Sequence, residues 1–212
     1  MPAVPVAAVV GSPIAHSLSP ALHRAAFASA GLDWEYVAFD VPPGAGRAAV
    51  EAMRTLGLAG LSVTTPLKAE VAAAVDRLAP AARALDSVNT VVRDGTELVG
   101  HSTDGDGFIA SLSSVGVELQ GCRVAVVGAG GAARSLVDAV GRAGAIEVVV
   151  VNRTPARGAE AARLAGSGRA GEVADLASAD LVVNATSVGM GTAELPFDPT
   201  VLRPEQIVVD LV

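Results

Sequence analysis

The chain has 212 residues, enough for one large domain or two modest ones with a real core. Hydrophobic residues make up 51% and aromatics only 3%, so disorder is excluded and the core must be built from Ala, Val and Leu. A formal net charge of −7 argues against a general nucleic-acid binder or an anionic-membrane binder, so any anionic ligand must be met by local groups.

The single cysteine, Cys122, cannot form an internal disulfide, which fits a reducing cytoplasm. Residues 1–23 lack Asp, Glu, Lys and Arg, but Pro2, Pro5, Pro13 and Pro20 interrupt the run and no basic segment precedes it. Neither a signal peptide nor a membrane span is predicted, and a soluble cytoplasmic protein is expected.

In chain order, "VAAVVG" (6–11) predicts a buried strand. "SPALHRAAFASAG" (19–31) predicts a helix with Ser19 as N-cap and a glycine stop. "WEYVAF" (34–39) alternates like a strand, a helix follows near 46–56, and "GLSVT" (60–64) is a further strand. Thr65-Pro66 reads as an N-cap followed by proline, which starts a helix and places Lys68 in its first turn. "NTVVRDG" and "ELVGHS" form a hairpin-like pair around Asp94-Gly95. A helix is expected from about Asp104, which can serve as its N-cap, to Val115.

The second half gives strand, glycine turn and helix start in "CRVAVVGAGGAAR", then apolar runs in "IEVVVVNR", "ADLVVNATS" and "QIVVDLV". Four continuous apolar runs separated by helical segments predict a parallel sheet covered on both faces. The sequence stops within or just after the fourth run, so a C-terminally truncated domain is expected.

"GAGGAA" (128–133) fits G-x-G-x-x-A, with Gly128, Gly130 and Ala133 between a strand and a helix. Such glycines let the backbone approach a pyrophosphate at a helix N-terminus. An NAD site expects an acidic residue at the end of the next strand. "NRTPAR" instead offers Asn152, Arg153, Thr154 and Arg157, groups suited to a 2′-phosphate, so NADP is the expected cofactor.

Lys68 is the only lysine beside fourteen arginines. Paired with Asp104 of "STDGDGF", its ammonium is a proton donor of the kind needed beside a hydride carrier. Ser17 and Ser19, just before Pro20, form a candidate receiver for a substrate carboxylate. His16 and His23 lack a third ligand at metal spacing, and "STDGDGF" is not an EF-hand loop, so no metal is expected.

The ordered motifs "GSPIAHSLSP", "SVTTPLK", "SVNT", "STDGDG", "GAGGAAR", "NRTPAR" and "NATSVGM" resemble the shikimate dehydrogenase family along essentially the whole chain. The resemblance implies an α/β protein with an α/β substrate domain at 1–103 and a Rossmann-like doubly wound NADP-binding domain at 104–212, with the active site between them. It implies NADP-dependent reduction of 3-dehydroshikimate to shikimate in aromatic amino-acid biosynthesis, by a monomer or homodimer that binds neither nucleic acid nor membrane.

By the same resemblance Lys68 and Asp104 are catalytic. Ser17 and Ser19 hold the substrate carboxylate, and Thr64, Asn89 and Asp104 bind ring hydroxyls. Gly128, Ala129, Gly130, Gly131 and Ala132, then Asn152, Arg153, Thr154 and Arg157, then Ala185, Thr186, Ser187 and Leu211 match cofactor segments. Ser62 and Ser102 stand where the family commonly has Asn. The family pattern continues past Val212 to a substrate-binding tyrosine, a glycine-rich segment and a glutamine. A quinate/shikimate or aminoshikimate dehydrogenase is the alternative within this class, and a catalytically impaired NADP- or substrate-binding fragment is the alternative outside it.

Overall fold

The structure, a computed structural model, describes residues 4–212, and the chain divides between Ser102 and Thr103 into two compact units. This boundary lies one residue before the 103/104 division read from the sequence.

The first unit runs β1 (Val6–Gly11), α1 (Ser19–Ser29), β2 (Glu35–Asp40), α2 (Gly46–Leu56), β3 (Gly60–Val63), α3 (Lys68–Ala72), β4 (Arg77–Leu78), α4 (Pro80–Leu85), β5 (Thr90–Asp94) and β6 (Glu97–His101). These strands make a six-stranded mixed sheet in the order β2-β1-β3-β5-β6-β4. β1 pairs in parallel with β2 and β3, whereas β5 runs antiparallel to both β3 and β6.

The run in β1 is continuously apolar because both its faces are covered. Ala8 and Val10 join Val50, Met53, Leu67 and Val71 on the α2/α3 side, and Ala7 and Val9 join Ile14, Tyr36 and Phe27 on the α1 side. Each fully buried Val, Leu or Met contributes about 1.5–3 kcal/mol of transfer free energy.

Three local expectations change in this unit. Ser19 is not the N-cap of α1; it is the first helical residue, and Leu18 occupies the cap without a side-chain bond. Thr65-Pro66 does not cap α3 either. It is a turn with a cis peptide, and the helix opens at Lys68 behind Leu67. The reason is tertiary: the Thr65 carbonyl accepts the Ser12 N–H (3.1 Å) and the Thr64 N–H donates to the Val10 carbonyl (2.9 Å), so this backbone is tied to β1. The hairpin turn centres on Gly95-Thr96, because Asp94 pairs with Glu97 and Gly95 supplies a φ of 61°.

The second unit runs α5 (Asp104–Ser114), β7 (Arg123–Val127), α6 (Gly131–Arg142), β8 (Glu147–Val151), α7 (Pro155–Ala162), β9 (Gly168–Gly171), a 3-10 helix at Val173–Ser178, β10 (Leu181–Asn184), a 3-10 helix at Pro199–Val201 and β11 (Ile207–Asp210). The sheet is five-stranded in the order β11-β10-β7-β8-β9, with every pair parallel.

Four strands were expected here, and β9 is the fifth. Its sequence, "GRAG", carries no apolar run because it is an edge strand, held by pairing to β8 and by Arg169 bonded to Glu147 and Asp175. Val124 and Val126 face α5, α6 and α7, while Ala125 and Val127 face the 3-10 side. Asp104 is the first residue of α5 and Thr103 holds the cap position, so Asp104 is not the N-cap. Among the described residues, no helix is long and apolar enough to cross a membrane.

Candidate functional site

In the second unit the crossovers through α6 and α7 lie on one face of the sheet, and those from β9 to β10 and β11 lie on the other. The connection therefore reverses between β7 and β10, and a doubly wound sheet binds ligands at the carboxyl ends of its strands beside such a reversal. A cavity of about 1000 Å³ lies there.

Its lining brings together Gly128, Ala129, Gly130, Asn152, Arg153, Arg157, Ala185, Thr186 and Ser187 from the expected set. Gly131 and Ala132 are instead the first two residues of α6, and Thr154 is the N-cap of α7. Leu211 follows β11, its N–H bonded to the Asn184 carbonyl at 3.1 Å. Glu172, Val173 and Pro196 also line the cavity. They sit beside the unexpected strand β9 and in a loop, where apolar periodicity gave no signal.

The glycine turn fits a dinucleotide pyrophosphate. Gly128 has a φ of 118°, and a Cβ there would lie 2.8 Å from the Ala185 carbonyl oxygen, so the position requires glycine. A Cβ on Gly130 or Gly131 would meet nothing within 4 Å; it would fill space beside the uncapped N-terminus of α6. Exposed N–H groups at a twelve-residue helix start are suited to phosphate oxygens.

The arginines fit a 2′-phosphate by the same reasoning. Arg134, Arg142 and Arg169 are committed to ion pairs with Glu160, with Asp106 and Asp138, and with Glu147 and Asp175. Among the described residues, Arg153 and Arg157 have no such carboxylate partner, and both line the cavity. Asn152 Nδ2 donates to the Thr154 carbonyl at 2.9 Å and so shapes the turn that carries Arg153.

In the first unit, backbone bonds gather several expected substrate residues at one end of the sheet. The Val63 N–H donates to the Asn89 carbonyl (2.7 Å), and the Val88 N–H donates to the Lys68 carbonyl (3.0 Å). Thr64, Lys68 and Asn89 thereby come from neighbouring segments, and Asn89 Oδ1 accepts a bond from the Thr90 hydroxyl at 2.9 Å. The nearby loop after β1 leads to Ser17, whose Oγ accepts the Ser19 N–H at 3.3 Å at the start of α1. A hydroxyl that accepts in this way keeps its own proton to donate to an anion.

Two further features support this end of the sheet. The Glu70 carboxylate accepts the N–H groups of Gly44 (2.9 Å) and Gly46 (2.8 Å), and so ties α3 to the N-terminus of α2. Those two backbone bonds, Gly44 first, hold the Glu70 carboxyl below the ordinary glutamate range. The Tyr36 hydroxyl donates to Ser62 Oγ at 2.6 Å, and His23 stacks on the Tyr36 ring with centroids 4.1 Å apart. Burial pushes the Tyr36 phenol up, opposed by its bond to Ser62. Among the described residues no cluster of His, Cys, Asp and Glu is arranged to hold a metal ion.

The fold and cavity of the second unit define a dinucleotide-binding domain of the doubly wound class. Two family models match the chain, "Shikimate dehydrogenase substrate binding domain" over residues 9–91 and "Shikimate / quinate 5-dehydrogenase" over residues 110–190. A shikimate dehydrogenase (NADP(+)) of Geobacter metallireducens is 43% identical over 98% of this chain and 77% of its own length.

Among solved structures, the shikimate 5-dehydrogenase of Thermus thermophilus in complex with NADP(H) and shikimate superposes with a TM-score of 0.92 at 38% identity, covering 99% of this chain and 79% of that one. The ligand-free 5-ketofructose reductase of a Gluconobacter strain gives a TM-score of 0.91 at 31% identity, with 99% and 79% coverage. The chain belongs to the shikimate dehydrogenase family.

Proposed function

We propose that this chain is an NADP-dependent oxidoreductase that interconverts 3-dehydroshikimate and shikimate, a step of aromatic amino-acid biosynthesis. The observation that carries the cofactor assignment is the cavity that holds the glycine turn together with Arg153 and Arg157. The substrate assignment rests on family membership and on the gathering of Thr64, Lys68 and Asn89 with the serine loop at one end of the first sheet.

Gly128, Ala129 and Gly130 would hold the pyrophosphate with help from Gly131 and Ala132, and Arg153 and Arg157 the 2′-phosphate, with Asn152 and Thr154 shaping that turn. Ala185, Thr186, Ser187 and Leu211 would complete the cofactor site. NADPH, when bound, supplies a hydride to the carbonyl carbon of the substrate.

The chain's own residues supply orientation and the proton. Ser17 and Ser19 donate to the substrate carboxylate, and Thr64, Asn89 and Asp104 bind the ring hydroxyls. As the carbonyl is reduced, the Lys68 ammonium gives its proton to the oxygen that becomes the new hydroxyl, and Asp104 orients that ammonium. A guanidinium cannot do this near neutral pH because it does not release its proton. A cytoplasmic location and a monomeric or homodimeric state belong to the same reading.

The test is NADPH oxidation by the purified chain, with 3-dehydroshikimate and 3-dehydroquinate as substrates and NADPH and NADH as cofactors. Preferred use of 3-dehydroshikimate with NADPH is expected. Turnover of dehydroquinate alone would move the substrate assignment, and NADPH binding without turnover of either substrate would replace the enzyme by a binding module.

A further inference from the structure

We infer that Asn184, which does not line the cavity, is the residue that positions the 185–188 segment for the cofactor. The inference rests on the NADP reading of the cavity and adds a residue outside the expected cofactor set. Asn184 ends β10 as a buried amide after Leu181, Val182 and Val183, and is only 3% exposed. Its neighbours in register are Val127 on β7 and Asp210 on β11.

Both polar atoms of its side chain are used. Oδ1 accepts two bonds from one residue, the Thr186 N–H (3.1 Å) and the Thr186 hydroxyl (2.8 Å). Nδ2 donates to Asp210 Oδ1 at 2.9 Å. The Thr186 hydroxyl oxygen in turn accepts the Val188 N–H (3.1 Å), and Asp210 Oδ1 accepts the Val212 N–H (3.0 Å). The Asn184 carbonyl takes the Leu211 N–H. One amide therefore fixes the turn that lines the cavity with Ala185, Thr186, Ser187 and Val188, and also the segment that carries Leu211.

This arrangement needs an acceptor and a donor on the same planar group, which is what asparagine provides. An aspartate at 184 keeps the acceptor for Thr186 but loses the donor to Asp210. Two carboxylates at that separation cannot both ionise, so one must take up a proton to restore the bond. Asp210 from β11 is the titratable group facing the position, and β7 presents Val127.

The test uses the whole chain in four forms: the parent, Asn184→Asp, Asn184→Asp combined with Asp210→Asn, and Asn184→Ala. NADPH affinity is read by fluorescence titration, and amide hydrogen exchange is followed in the unliganded proteins. At about pH 8 Asn184→Asp should bind NADPH roughly 10-fold more weakly, the scale of one lost buried bond, and the deficit should shrink toward about pH 5. The double variant, which restores a donor at 210, should recover much of the affinity at about pH 8.

In unliganded Asn184→Ala, the Thr186 and Val188 amides should lose protection. Parent-like affinity of Asn184→Asp at both pH values, or a double variant no better than the single one, would overturn the assignment. If the parent itself does not bind NADPH, the cofactor reading fails, while the exchange data still decide whether Asn184 shapes the segment.

Discussion

Replacing Gly128 by alanine separates the two tasks of the glycine turn, close packing and phosphate access. The backbone φ of 118° alone costs a residue with a Cβ about 1–3 kcal/mol. The new methyl would lie 2.8 Å from the Ala185 carbonyl oxygen and 3.0 Å from its carbon. Both are backbone atoms held by the Ala185 N–H bond to Val127 (2.8 Å), so neither yields as a flexible side chain would. Adding an overpacking cost of similar size gives about 2–6 kcal/mol, or a fall in Tm of roughly 5–20 °C for a chain of this length.

Gly130→Ala is the matched control. Its φ is −80° and the methyl meets nothing within 4 Å, so the expected stability change stays within about 1 kcal/mol. The methyl nevertheless occupies the space a pyrophosphate would take, so NADPH affinity should fall at least about 10-fold, or about 1.4 kcal/mol. Differential scanning calorimetry and NADPH fluorescence titration give the two readouts. A Gly128→Ala protein with the parental Tm would refute the close approach, and a Gly130→Ala protein with parental NADPH affinity would refute the phosphate site.

Arg153→Ala should weaken NADPH by about 10- to 100-fold, the scale of one charge-assisted bond, while leaving NADH nearly unchanged; equal losses would count against the 2′-phosphate assignment. Lys68→Ala should lower turnover by about 10² to 10⁴ with cofactor binding retained, and near-parental turnover would remove Lys68 from the chemistry. The depressed Glu70 carboxyl contributes stability above the unfolded glutamate pKa and loses it as pH falls through the lower folded value. Thermal melts across acidic pH should therefore show a shallower decline in Glu70→Gln than in the parent, and equal slopes would exclude this contribution.

Much of the second unit was legible because its central strands are buried on both faces. "RVAVV", "EVVVV" and "LVVN" are continuous apolar runs for that reason, and the glycine turn between a strand and a helix carries its own stereochemical meaning. β9 was not legible, since an edge strand of small residues is held by pairing and by Arg169 and not by an apolar pattern. The start of α3 differs from its local signal for a related reason. Thr65-Pro66 has the local chemistry of a helix cap, but its backbone is drawn into bonds with the loop after β1.

By itself the sequence determined the class of the elements that carry an apolar period, the glycine turn and the basic segment after the second strand of the second unit, because these rest on local stereochemistry, charge and periodicity. Only the tertiary structure decided that Arg153, Gly128 and Thr186 line one cavity, that Glu70 anchors the helix of Lys68, and that Asn184 joins the 185–188 segment to β11. The Glu70 and Asn184–Asp210 bonds join residues 24 to 26 positions apart and form only when distant segments meet, whereas the Asn184–Thr186 bonds span two positions and are a local turn that the tertiary structure places beside the cavity.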